Sequence, residues 1–126
     1  MIRVSEPFIP NQIRYKEIIS NIWNSKIFTN SGPVLAEFER KAKQYLNVDN
    51  GFAVSNGTIG LELCLKALDL KGEVITPAFS WIATHSAIIN AGCLPKYCDI
   101  DSSTLNINPA SIEPLISEKT VAILPV

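Results

Sequence analysis

The chain has 126 residues, 11 of them basic and 12 acidic, for a formal net charge of -1, a length that fits one ordinary domain of about 100–200 residues. Hydrophobic residues make up 47% and charged residues 18%, which excludes a disordered or solvating chain. Lys and Arg cluster nowhere, so neither nucleic acid nor an anionic membrane is expected as a partner. No apolar run approaches the roughly 18 residues that span a bilayer, and Met1 to Pro10 lacks the apolar stretch of a secretory signal. Cys64, Cys93 and Cys98 are an odd count in apolar surroundings. A reduced, cytoplasmic protein is the simplest reading.

Ile13, Ile18, Ile19, Ile22 and Trp23 recur at helical spacing after Pro10, where a helix can begin. Thr29-Asn30-Ser31-Gly32-Pro33 is turn chemistry. Val34, Leu35, Phe38, Ala42, Tyr45 and Leu46 then make one apolar face, with Glu37–Lys41 and Glu39–Lys43 as i,i+4 pairs opposite. From residue 51 short strands and helices alternate. Phe52-Ala53-Val54 reads as a first strand, and Ser55-Asn56-Gly57-Thr58 opens a helix to Leu68 whose only charges are Glu62 and Lys66, so most of it should be buried. Glu73–Thr76 reads as a second strand stopped by Pro77. Ser80 is positioned to cap a helix to Ala91 with Gly92 at C′. Leu94 to Ile100 reads as a third strand, followed by a turn at Asp101-Ser102-Ser103-Thr104. Asn108-Pro109 starts a short helix that Pro114 should kink. Val121 to Val126 reads as a fourth strand, apolar throughout and with no polar tail, which reads as part of a longer protein. The alternation implies an α/β fold, a parallel sheet covered on both faces.

Open α/β sheets bind ligands beyond the carboxyl ends of strands, near helix N-termini. The first such junction, Ser55-Asn56-Gly57-Thr58, offers free amides, a small Gly and a hydroxyl, with no acidic side chain from Ser55 to Leu61. An external anion such as a phosphate suits it; an N-cap with a tight turn is the plainer reading. At the second junction, Phe79 and Trp81 either face a ring-shaped ligand or fill the sheet–helix layer. Asp99 and Asp101 at the third suit turn and capping roles better than a metal or proton relay. His85, the sole histidine, reads as a satisfied helix residue, and the cysteine spacings make zinc improbable.

In order along the chain stand Thr29-Asn30-Ser31-Gly32-Pro33 before Phe38-Glu39, Ser55-Asn56-Gly57-Thr58-Ile59-Gly60-Leu61, and Glu73-Val74-Ile75-Thr76-Pro77-Ala78-Phe79-Ser80-Trp81-Ile82-Ala83-Thr84. Gly92, Asp99-Ile100-Asp101, Asn106-Ile107-Asn108-Pro109 and Lys119-Thr120-Val121-Ala122-Ile123-Leu124-Pro125-Val126 follow. This series resembles the N-terminal part of the DegT/DnrJ/EryC1/StrS family of sugar aminotransferases. The resemblance implies part of the large domain of the aspartate aminotransferase fold (residues 34–126) preceded by a helix and loop arm (residues 1–33). It implies pyridoxal phosphate as cofactor and a homodimer when complete. The activity implied is transfer of an amino group from an amino acid, glutamate in most members, to a keto group of a nucleotide-linked sugar, in surface polysaccharide or deoxyamino-sugar biosynthesis. It further implies that Gly57 and Thr58 hold the cofactor phosphate and that Trp81 stacks on its ring.

In the family, the Schiff-base lysine and the aspartate that pairs with the pyridinium nitrogen lie after the point reached by Val126. None of Lys16, Lys26, Lys41, Lys43, Lys66, Lys71, Lys96 or Lys119 matches that lysine, so no catalytic residue is expected here, and the 126-residue chain alone should be inactive. A sugar dehydratase of the same family and a non-catalytic regulator or binding module that keeps the fold are the alternatives.

Overall fold

The computed structural model describes residues 4–126, organised as two compact units, one ending at Ala53 and one spanning Val54–Val126.

The first unit holds helices α1 (Gln12–Ser25) and α2 (Pro33–Leu46). Asn11, not Pro10, opens α1: its carboxamide oxygen accepts from the amides of Ile13 and Arg14. Between the helices Trp23 and Phe28 meet edge to face, 5.2 Å between centroids. Pro33 takes the first position of α2, and Asn47 ends it in the left-handed conformation. The Glu37–Lys41 pair forms, 2.8 Å. The expected Glu39–Lys43 pair does not. Glu39 instead accepts the Ala53 amide at 2.9 Å, because an unpaired backbone donor in a half-buried place is a better partner than a solvated ammonium. Neither helix buries any residue, so the apolar face of α2 is present but uncovered.

The second unit is a three-stranded parallel sheet in the order β2-β1-β3. Its elements are α3 (Gly57–Ala67), β1 (Glu73–Pro77), α4 (Ile82–Asn90), β2 (Leu94–Cys98), α5 (Pro109–Ile112), a 3₁₀ turn (Glu113–Leu115) and β3 (Thr120–Ile123). Central β1 pairs Glu73 with Leu94 on one side and Thr120 on the other. Consecutive strand residues point to opposite faces, and Val74 and Ile75 are both 0% exposed, so β1 is buried on both faces as the continuous apolar strand predicts. Pro95 lacks an amide donor and sits in edge strand β2, where that loss is tolerated. Leu65, Val74, Ala87, Ile88 and Cys93 form the core cluster that joins α3, α4 and β1.

Helix ends follow the local chemistry. At the end of α4 the Cys93 amide reaches Ile88 O (3.0 Å), and the Gly92 amide reaches Ile89 O (2.9 Å) with Gly92 at φ +84. These are the paired bonds of a Schellman stop. Pro114 converts α5 into the 3₁₀ turn. Gly72 is needed by contact: a Cβ there would collide with Lys119 O and lie 2.7 Å from Val121 Cγ1, where β1 and β3 begin to pair.

Several expectations are corrected. Phe52–Val54 is not a strand; a strand exists by pairing, no described residue pairs with this segment, and Phe52 is 89% exposed. The third strand ends at Cys98, because the Asp99 carboxylate binds the Ile100 amide and Ile100 then bridges antiparallel to Ile107. The fourth runs Thr120–Ile123 rather than to Val126, although Leu124 stays tied to β1 through Ile75 O and the Thr76 hydroxyl. Only Leu65 of α3 is buried, and Cys64 is exposed, because α3 packs mainly on α4 and turns little of its surface to the rest of the unit. Ser80 does not cap α4. Trp81 is the N-cap residue and makes no side-chain capping bond.

Candidate functional site

The strands of the second unit all run the same way, so the segments after Pro77, Cys98 and Ile123 emerge at one end of the sheet. A cavity of about 620 Å³ opens there, and Gly57, Thr58, Ser80, Trp81, Thr84 and Val126 are among the residues that line it. The first two junctions singled out from sequence therefore converge on one site.

Helix α3 presents its N-terminus to this cavity. Asn56 is its N-cap, with Oδ1 accepting the Ile59 amide at 3.0 Å, and the Gly60 amide closes the first turn on Asn56 O. Among the described residues the amides of Gly57 and Thr58 and the Thr58 hydroxyl have no hydrogen-bond partner. No acidic residue lies in the first turn, and a Cβ built on Gly57 meets nothing within 4 Å. Two aimed amides, a free hydroxyl, the positive end of a helix and open space over a glycine are what a phosphate requires. The residues present fit that part of pyridoxal phosphate.

Trp81 is 79% exposed and Phe79 62%, so neither fills the sheet–helix layer. Trp81 also lines a second cavity of about 440 Å³, together with Phe79, Ser80, Leu105 and Asn106. Its indole is thus available as a flat face.

Asp101 serves structure. Its Oδ1 accepts from the amides of Ser103 (2.8 Å) and Thr104 (2.9 Å) and from both hydroxyls. These bonds, the Ser103 hydroxyl foremost, hold its carboxyl down at about 2. Asp99 likewise spends its carboxylate on the Ile100 amide. Burial raises the Cys98 thiol above its ordinary value. Among the described residues no three His, Cys, Asp or Glu side chains gather as a metal site. His85 corrects an expectation: its ring and that of Tyr97 meet edge to face (5.2 Å between centroids), an aromatic contact that satisfies no ring nitrogen, and its buried Nδ1 has no partner among the described residues.

Ser80 and Thr84 were not singled out as site residues from sequence. Their hydroxyls lie 2.7 Å apart, and Thr84 is buried. The available signal was a Thr one helical turn after a Ser in an otherwise apolar helix.

Residues 12–126 match the model of the DegT/DnrJ/EryC1/StrS aminotransferase family. The chain belongs to this family. It is similar, 39% identical over 125 residues, to a dTDP-4-amino-4,6-dideoxy-D-glucose transaminase of Escherichia coli, covering 99% of this chain and 34% of that protein. Among solved structures it resembles a sugar aminotransferase from Micromonospora echinospora, with TM-score 0.85 and 26% identity over 99% of this chain and 34% of that one. It also resembles a GDP-4-keto-6-deoxymannose-3-dehydratase solved with a trapped PLP-glutamate geminal diamine, with TM-score 0.79 and 32% identity over 91% of this chain and 31% of that one. The chain spans about a third of the length of the relatives it matches. Family membership and the three-stranded parallel sheet agree with the fold implied by the ordered motifs. Among the described residues no helix is long and apolar enough to cross a membrane.

Proposed function

We propose that this chain is the N-terminal third of a cytoplasmic, homodimeric aminotransferase that uses pyridoxal phosphate to move an amino group from glutamate to a keto group of a nucleotide-linked sugar. On this reading residues 1–33 are an arm and residues 34–126 the first part of the cofactor-binding domain. The observation that carries it is the convergence of the open α3 N-terminus and the exposed Trp81 on one cavity, in a chain of this family. The similarity to the Escherichia coli transaminase supports a nucleotide-linked sugar as substrate.

Bound pyridoxal phosphate would supply an aldehyde carbon that takes up and gives back the amino nitrogen, and a ring that serves as electron sink. The chain's own part is binding and orientation. The Gly57 and Thr58 amides and the Thr58 hydroxyl would donate to phosphate oxygens, and the α3 dipole would favour their charge. Asn56 is held by the Ile59 amide and leaves that position clear. The exposed Trp81 indole would stack on the cofactor ring and exclude water from one of its faces.

The similarity to the GDP-4-keto-6-deoxymannose-3-dehydratase favours a second reading, removal of a ring hydroxyl. Incubating the complete protein with pyridoxal phosphate, glutamate and dTDP- or GDP-linked 4-keto-6-deoxy sugars separates the two by mass spectrometry. An amino sugar with an equal amount of 2-oxoglutarate is the expected result. A deoxygenated keto sugar that gains no nitrogen assigns the dehydratase, and no product from a cofactor-loaded protein overturns both.

A further inference from the structure

We propose that Ser80 and Thr84 are positioning residues for Trp81, an inference that rests on the stacking role proposed for that indole. At 79% exposure the ring is not held by packing, so its direction depends on the backbone that carries it. That backbone is a helix N-cap without a capping side chain, at φ -65 and ψ 144. Such a position usually draws rigidity from a Ser, Thr, Asp or Asn at the cap itself. Here the rigidity comes from residues on either side.

Thr84, 6% exposed, meets Ser80 Oγ at 2.7 Å, and Ser80 Oγ lies 3.4 Å from Trp81 O. Donation from Ser80 to the Trp81 carbonyl leaves Thr84 as the donor to Ser80. The Thr84 amide also reaches Trp81 O at 3.1 Å, and the Ser80 amide reaches Ala78 O at 3.0 Å. A helical Thr hydroxyl commonly bonds the carbonyl four residues back. In this helix it takes the side chain of that residue instead, and the bond closes a loop across the Trp81 backbone. A buried hydroxyl is costly to leave unpaired, so the pair resists opening. Both residues line the same cavity as Trp81. Support of a site side chain by hydrogen bonds one layer out is a general way of holding binding geometry.

The test uses the complete protein labelled with 5-fluorotryptophan and freed of cofactor, with the Trp81 fluorine resonance assigned by Trp81→Phe. Thr84→Val and Ser80→Ala each remove one side of the bond without touching the indole. Both should broaden or split a resonance that is single in the parent, and both should weaken pyridoxal phosphate binding about three- to tenfold, the range for one neutral hydrogen bond. Thr84→Ser should restore both readouts. An unchanged resonance and affinity in Thr84→Val and Ser80→Ala overturn the proposal, and so does Thr84→Ser behaving like Thr84→Val, which would place the effect in the methyl group. A resonance that broadens at constant affinity keeps the positioning role and removes the stacking role of Trp81, so the two failures are distinguishable.

Discussion

Gly57→Ala should move stability and cofactor affinity in opposite directions. Gly57 is the first residue of α3, is exposed, and has nothing within 4 Å of a built Cβ. An alanine therefore meets no steric cost in the folded protein. By restricting the unfolded chain it should stabilise by about 0.4–1 kcal/mol. The same methyl occupies the space above the α3 N-terminus that a phosphate needs. Displacing one charge-assisted bond of about 1.5–3 kcal/mol should weaken pyridoxal phosphate binding roughly 10- to 150-fold. Urea unfolding of the cofactor-free complete protein gives the first quantity, and equilibrium dialysis against pyridoxal phosphate gives the second. A destabilised variant with parental affinity would refute the reasoning, because it would make Gly57 a turn residue and leave the cavity without a role.

Trp81→Ala should weaken cofactor binding by about 1–3 kcal/mol, the range for lost ring stacking, with little change in melting temperature, since the indole is mostly exposed; calorimetric titration and thermal melts on one variant check both. Gly72→Ala should destabilise by about 1–3 kcal/mol, because the added Cβ meets the Lys119 carbonyl and Val121 where β1 joins β3; denaturant unfolding measures it, and an unchanged midpoint would contradict the close approach. The Asp101 carboxyl is held at about 2 against an ordinary 3.8, so the folded form is favoured by its ionised state above pH 3.8. That contribution is lost as pH falls towards 2. The Ser103 and Thr104 amide resonances should shift with an apparent midpoint near 2, and a midpoint near 4 would show that the turn does not hold the carboxylate.

The sequence made the second unit more legible than the first. Periodic apolar runs and Gly–Pro punctuation located β1, α4, β2 and β3, since burial of β1 on both faces leaves continuous apolar residues that have few other uses. Gly92 and Pro114 marked their stops because each imposes a backbone conformation by itself. Phe52–Val54 misled for the opposite reason: a three-residue apolar run carries no information about whether a partner strand exists. Glu39 misled because i,i+4 spacing sees only its own helix, whereas the Ala53 amide lies fourteen residues on. At the candidate site, junction chemistry and family resemblance singled out Gly57, Thr58 and Trp81, and the structure brings the three to one cavity. The Ser80–Thr84 pair was not, because a hydroxyl–hydroxyl bond leaves no signature beyond two common residues four apart.

The claim that α3 holds a cofactor phosphate is tested most directly at Thr58. Pyridoxal phosphate is titrated into the complete protein and its Thr58→Val variant, with protein-bound absorbance giving the affinity and a thermal melt of the cofactor-free form giving the stability. The variant keeps the shape of the side chain and removes a hydroxyl with no partner among the described residues. Affinity should fall by about 1.5–3 kcal/mol, the worth of a hydrogen bond to a charged group, while the melting temperature stays near the parent's. A lower melting temperature with unchanged affinity would make Thr58 a residue of the helix start alone and contradict the account.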